Sequence, residues 1–170
     1  IYGSTLATGG TVEDIASWPD RIRAVTAEDV KDAATRWLDE RRPQPFVQPL
    51  DGGEAVNLLA GSALAASPGY GGRGALGREE LDAVWSPDGQ SVLFVASRNR
   101  HRSAHAFTHL DIWQVPVAGG EPRRLTGRDD EQADASHSTL RFSPDGKHLF
   151  ALFSPRTDSV YNAVRLVRFD

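Results

Sequence analysis

Three histidines, His101, His105 and His109, stand four residues apart, with Asp111 just beyond. On a helix that spacing would bring three imidazoles onto one face, where ring nitrogens could hold zinc. The surrounding Asn99, Arg100, Arg102 and Ser103 suit instead an exposed loop between two strands. No glutamate stands where a metal-bound water would need its general base. The segment is therefore read as a polar loop, with His101, His105 and His109 as the metal candidates. Glu79 and Glu80 are adjacent carboxylates that could anchor a substrate amine, but they read more simply as a solvated lead-in to a strand at Leu81. Asp129, Asp130, Glu131 and Asp134 could hold a cation or form a solvated connection; the connection is the simpler reading. His137 and His148 are isolated and suit surface or satisfied polar positions. Serine, histidine and aspartate are all present, yet no serine sits on a Gly-x-Ser-x-Gly elbow: Gly61-Ser62-Ala63 and Gly3-Ser4-Thr5 do not fit it. Gly69 to Gly77 is glycine-rich without the strand–helix context of a phosphate loop. No catalytic residue and no cofactor site is assigned.

Bulk properties narrow the classes further. A hydrophobic share of 39% with 25% charged residues suits a globular chain. The net charge of −4 and the small Arg123-Arg124 cluster give no footprint for nucleic acid. No apolar run is long enough to span a bilayer. Without cysteine there are no disulfides or thiolate metal sites, and bacterial envelope, periplasm and cytoplasm are all compatible. A chain that starts at Ile1, lacks Met and stops at Asp170 inside a strand-like run reads as a fragment.

The elements that must position these residues are marked by one stretch that occurs twice. Trp85-Ser86-Pro87-Asp88-Gly89 returns as Phe142-Ser143-Pro144-Asp145-Gly146, its serine 57 residues on. In each copy an apolar run precedes and another follows, so the stretch is a tight turn joining two strands: proline presets φ, aspartate bonds nearby backbone, and glycine takes a left-handed conformation. A second repeat aligns Phe46 to Glu54 with Trp113 to Glu121, its Gly-Gly pair 67 residues on. Between the copies, Ala60 to Gly77 is read as a long loop. The register predicts strands at Pro45–Leu50, Ala55–Leu59, Leu81–Trp85, Ser91–Ser97, Asp111–Val117, Pro122–Thr126, Leu140–Phe142, His148–Phe153 and Ala163–Phe169. Four antiparallel strands per unit at this period is the pattern of a β-propeller.

Residues 1–42 follow another rule. Thr11-Val12-Glu13-Asp14 and Thr26-Ala27-Glu28-Asp29 each read as a capped helix start. Val30, Ala33, Ala34, Trp37 and Leu38 then form one apolar face, up to a stop near Pro43. The first helix is shortened by Pro19. The expectation is an α-helical hairpin.

Two resemblances attach to these residues. The run from Ile1-Tyr2-Gly3 through Ala24-Val25-Thr26-Ala27-Glu28-Asp29-Val30 and on to Ala33, Ala34 and Leu38 resembles the end of a domain of insulinase/pitrilysin-type zinc peptidases. The zinc motif of that family, His-x-x-Glu-His, is absent, so the resemblance implies a non-catalytic end. Trp85-Ser86-Pro87-Asp88-Gly89, the Leu93 to Arg98 strand and Asp111 to Thr126 resemble the WD40-like propeller repeat of the prolyl oligopeptidase/dipeptidyl-peptidase family, and equally that of the Tol-system propeller protein of bacterial envelopes. The first of these implies a propeller that admits and orients peptides for a separate serine hydrolase domain; the second implies a protein-binding module without chemistry. The fold expected is mainly β: a helical hairpin at 1–42, then a partial β-propeller of about two four-stranded antiparallel blades at 43–170, made of a blade remnant (45–59), a blade (81–126) and a partial blade (138–170). The expected partners are a peptide substrate or a protein, together with self-association through exposed blade faces.

Overall fold

The computed structural model describes residues 11–39, 42–75, 78–103, 107–127, 135–155 and 163–170. The chain divides into two compact units, Ile1–Arg41 and Arg42–Asp170.

In the first unit the two threonines act as expected. Thr11 Oγ1 accepts the Asp14 N–H at 3.1 Å, and the Asp14 carboxylate accepts the Thr11 N–H at 2.8 Å, opening α1 (Val12–Ala16). Thr26 and Asp29 repeat the same reciprocal pair, at 3.1 and 2.8 Å, at the start of α3 (Ala27–Asp39). Each pair satisfies donors that the first helical turn leaves open. The hairpin expectation is corrected in one respect: the stretch before α3 is two helices. Pro19 lies in the first turn of α2 (Trp18–Ala24), where its missing N–H costs nothing, so it opens a new helix. Val12, Trp18, Ile22, Val25 and Val30 are all exposed.

The second unit is built mainly from strands in small antiparallel sheets. The first hairpin pairs β1 (Phe46–Val47) with β2 (Val56–Asn57). A short helix α4 (Ala63–Ala66) and a second hairpin follow, β3 (Arg73–Ala75) with β4 (Arg78–Glu80). Next comes a four-stranded sheet in the order β5 (Val84–Trp85), β6 (Ser91–Ser97), β7 (Leu110–Pro116), β8 (Arg123–Arg124). The last sheet places β10 (Leu149–Pro155) between β9 (Ala135–Phe142) and β11 (Arg165–Phe169).

Alternation along β6 explains the layering. Every residue of Ser91–Ser97 is buried, which requires cover on both faces. Val92, Phe94 and Ala96 join Trp113 and Val115 on one face, the back, and pack with Leu58, Leu59, Leu64 and Tyr70, with Val47 at the edge. Leu93 and Val95 join Leu110 and Ile112 on the other, the front, and pack with Leu140, Leu149 and Ala151 of the last sheet. The four-stranded sheet is thus the middle layer of three. Phe94 and Val95, neighbours in sequence, are both fully buried but serve different cores. At about 25 cal/mol per Å² of apolar surface, burying each is worth roughly 1.5–3 kcal/mol.

The reading of Ala60 to Gly77 as one loop is corrected. Leu64 and Tyr70 are core residues, and α4 and β3 form within it. The glycines permit close backbone approach: a Cβ on Gly69 would fall 1.7 Å from the Arg98 carbonyl oxygen. Several strands also differ in length from expectation. β9 begins at Ala135 rather than Leu140, and β5 is confined to Val84–Trp85.

Candidate functional site

The two Pro-Asp-Gly corners join β5 to β6 and β9 to β10, on two different sheets. Their bonding is nearly the same atom for atom. Ser86 Oγ lies 2.6 Å from Asp88 Oδ1, which also accepts the Gln90 N–H at 3.0 Å; Ser143 Oγ lies 2.6 Å from Asp145 Oδ1, which accepts the Lys147 N–H at 3.1 Å. Ser86 Oγ accepts the Ser91 N–H at 2.9 Å, and Ser143 Oγ the His148 N–H at 3.0 Å. Gly89 and Gly146 close the turns at φ of 68° and 71°. The serine hydroxyls hold both aspartate carboxyls below their usual range, with the backbone N–H groups adding to the effect.

The second corner gathers a serine, an aspartate and a histidine, the composition of a hydrolytic triad, but its wiring is different. Ser143 Oγ donates directly to the carboxylate and accepts from the backbone of His148, whose ring Nδ1 lies 2.9 Å from Asp170 Oδ1. A triad needs the imidazole between the two. The first corner keeps the whole bond set with serine, not histidine, at the matching position, Ser91. These residues therefore shape a turn.

Glu79 and Glu80 form strand β4 rather than a solvated lead-in. Both are half-buried and paired. Glu79 Oε1 accepts Arg100 Nε at 2.7 Å, and its Oε2 accepts the Gly72 N–H at 3.0 Å. Glu80 Oε2 accepts Arg73 Nη2 at 2.9 Å. Arg73 also grips Asp82 through Nε at 3.0 Å and Nη2 at 3.2 Å. Burial opposes ionisation of Asp82, but the Arg73 hydrogen bond, the Thr139 N–H and the charges of Arg73 and Arg141 outweigh it and hold the carboxyl below its usual value. Beside this seam, burial and then the Glu79 charge push the Tyr70 phenol well up, with Arg42 opposing; its O–H donates to the Pro43 carbonyl at 2.6 Å.

Asp82 and Thr139 are a feature the sequence did not announce. They stand 57 residues apart, at matching points of the repeat, and both have left-handed backbones, φ 46° and 55°. A β-branched residue there is a true outlier. Each interrupts the strand-pairing just before the apolar end of β5 or β9; for β9 the register shift opposite Phe150 and Leu152 marks a bulge. Asp82 Oδ2 accepts the Thr139 N–H at 3.2 Å, so the left-handed residue before β5 caps the bulge of the next sheet. Asp and Thr share no side-chain type, so the alignment of turns hid them.

With Tyr70, His137 and Asp111 are buried titratable groups among the described residues. His137 Nδ1 donates to the Leu110 carbonyl at 3.3 Å, and its ring lies against Phe153 and Phe169, 5.5 and 5.9 Å between centroids. Burial pushes its pKa down, against the pull of that carbonyl. Burial pushes Asp111 up, opposed by Arg124, Arg98 and Thr126; the Arg124 Nη1 is 3.5 Å away.

His101 lies in a 3-10 turn, Arg100–Arg102, and His109 in extended chain before β7. His105 falls outside the described residues, as do Asp129, Asp130, Glu131 and Asp134. Among the described residues no three His, Asp or Glu side chains form a metal-binding group. The loop is partly buried, not wholly exposed: Asn99 ties its ends, accepting the His109 N–H at 3.0 Å and donating to the Phe107 carbonyl at 2.8 Å. No helix among the described residues is long and apolar enough to cross a membrane.

No protein-family model, curated protein or solved structure matches the chain.

Proposed function

We propose that residues 42–170 are a segment of a β-propeller, and that the chain is a non-catalytic part of a peptidase of the prolyl oligopeptidase kind. In that setting the segment admits and orients short peptides, and a serine hydrolase domain cuts them. The observation that carries the reading is the packing of one antiparallel sheet front to back on the next, with the same Ser-Pro-Asp-Gly corner and a left-handed residue at the matching point of each. Propeller blades pack in this manner.

The closure of Glu79 by Arg100 and of Glu80 by Arg73 favours a second reading. With those carboxylates neutralised internally, a peptide amine gains little there, and a Tol-type module that binds a protein without chemistry becomes the rival.

Two assays separate these. Incubated with chromogenic Xaa-Pro substrates, the chain should show no turnover; activity lost on Ser143→Ala would overturn the non-catalytic reading. Titration of an Xaa-Pro peptide into isotope-labelled chain should shift amide signals around Arg73, Glu79, Glu80 and Asp82. Silence there would remove the peptide-handling reading and leave the protein-binding one.

A further inference from the structure

The front of the four-stranded sheet packs on the back of the last sheet, while its own back is covered mainly by Leu58, Leu59, Leu64 and Tyr70, which lie outside the strands, with Val47 of β1 at the edge. The front of the four-stranded sheet carries Val84, Leu93, Val95 and Ile112, and the last sheet covers it. Residues 57 places on from Val84, Leu93 and Val95 are Arg141, Phe150 and Leu152. The register places them on the matching face of the last sheet: Phe150 lies opposite both Arg141 and Arg168, and Leu152 opposite Leu166, as Val95 lies opposite Ile112. Directly paired residues share a face. On that front Phe150 and Leu152 are half-buried, Arg141 and Arg168 are exposed, and Leu166 is 69% exposed. At the other end of the stack, Phe46 and Leu50 match Trp113 and Val117 at the 67-residue offset. Trp113 is on a covered back face, whereas Phe46 is 59% exposed and Leu50 wholly so.

The two ends therefore present complementary halves of the sheet-on-sheet contact that the chain makes within itself between the four-stranded sheet and the last one. We propose that copies of this chain associate head to tail, the front of the β9–β10–β11 sheet of one copy on the back of the β1–β2 layer of the next. Charge agrees: exposed Arg141 and Arg168 lie on the first face, and exposed Asp51 and Glu54 follow β1 at the second end. Such a contact is heterologous, so it yields rings where the rotation closes and open assemblies where it does not. The inference does not rest on the peptide-handling reading.

Sedimentation velocity of the whole chain over a wide concentration range tests it. The average mass should rise above 18.5 kDa with concentration. Leu166→Glu spoils only the front and Phe46→Glu only the back, so each variant alone should stay at the monomer mass. An equimolar mixture should form dimers and nothing larger, because one intact front meets one intact back. A wild-type chain that is monomeric throughout, a single variant that still associates, or a mixture that stays monomeric would each overturn the proposal. Both positions are exposed, and an unchanged circular dichroism spectrum checks that each variant folds; Leu166→Lys and Leu50→Lys replace any that does not.

Discussion

Two glycines with the same backbone strain and different surroundings isolate the contact between sheets. Gly89 and Gly146 occupy matching turn positions at φ of 68° and 71°. An alanine at either must hold a left-handed backbone, at about 1–2 kcal/mol. A reduced entropy of the unfolded chain offsets about 0.4–1 kcal/mol of this. Around Gly89 the space is open: a Cβ meets nothing within 4 Å. At Gly146 the Cβ would lie 2.8 Å from Pro87 Cβ and 3.2 Å from its Cγ, atoms of the turn on the neighbouring sheet. Pro87 is a rigid ring in a bonded corner, so relief requires the sheets to shift, an overpacking cost of about 1–3 kcal/mol. Gly89→Ala should therefore cost about 1 kcal/mol and Gly146→Ala about 2–4 kcal/mol. Urea denaturation followed by tryptophan emission would show the difference as a midpoint gap of roughly 1 M, given the usual denaturant slopes. Equal midpoints would refute the reasoning, since they would mean that the second corner does not rest on the first.

Ser86→Ala should cost about 1–3 kcal/mol by stranding the buried Ser91 N–H, and Ser143→Ala about 1 kcal/mol, because water reaches that corner more easily; equilibrium unfolding checks the order. The His137 pKa is depressed in the folded state, so its contribution to stability is complete above the unfolded value of 6.5 and is lost as pH falls from there towards the folded value. Melting temperatures should drop through that window, and His137→Leu should flatten the drop. Thr139→Gly should relieve a strained backbone and leave the chain unchanged or stabilised by up to about 1 kcal/mol, whereas Asp82→Ala should destabilise it by about 1–3 kcal/mol through the loss of the Arg73 clamp and the Thr139 cap; paired thermal melts distinguish the two.

The parts of this fold that were legible in the sequence are those set by local chemistry. The threonine caps, the two Ser-Pro-Asp-Gly corners and the run Ser91–Ser97 depend on residues within a few positions of one another, and they appear where the spacing puts them. Pro19 reads as a breaker because proline cannot continue a helix interior; that it opens a new helix depends on the junction at Ser17, whose side chain makes no capping bond. The structure within 60–77 was hidden because glycine, alanine and serine carry little periodicity, while its two anchors, Leu64 and Tyr70, act through distant partners. Arg73, Asp82 and Thr139 come together from three strands or their ends, and nothing in their spacing predicts a guanidinium clamp or a capped bulge. Glu79 and Glu80 were visible as a pair, but their neutralisation by Arg100 and Arg73 is a property of the folded chain.

The central claim is that two repeated antiparallel sheets lie face to face, with Leu93, Val95, Leu110 and Ile112 of one against Leu140, Leu149 and Ala151 of the other. Methyl–methyl nuclear Overhauser contacts in labelled protein test it directly. The structure predicts cross-peaks between these two sets, alongside a separate network joining Val92 and Val115 to Leu58, Leu59 and Leu64. Cross-peaks placing Leu140 and Leu149 beside the first sheet's strands as one continuous sheet, or none between the two sets, would contradict it.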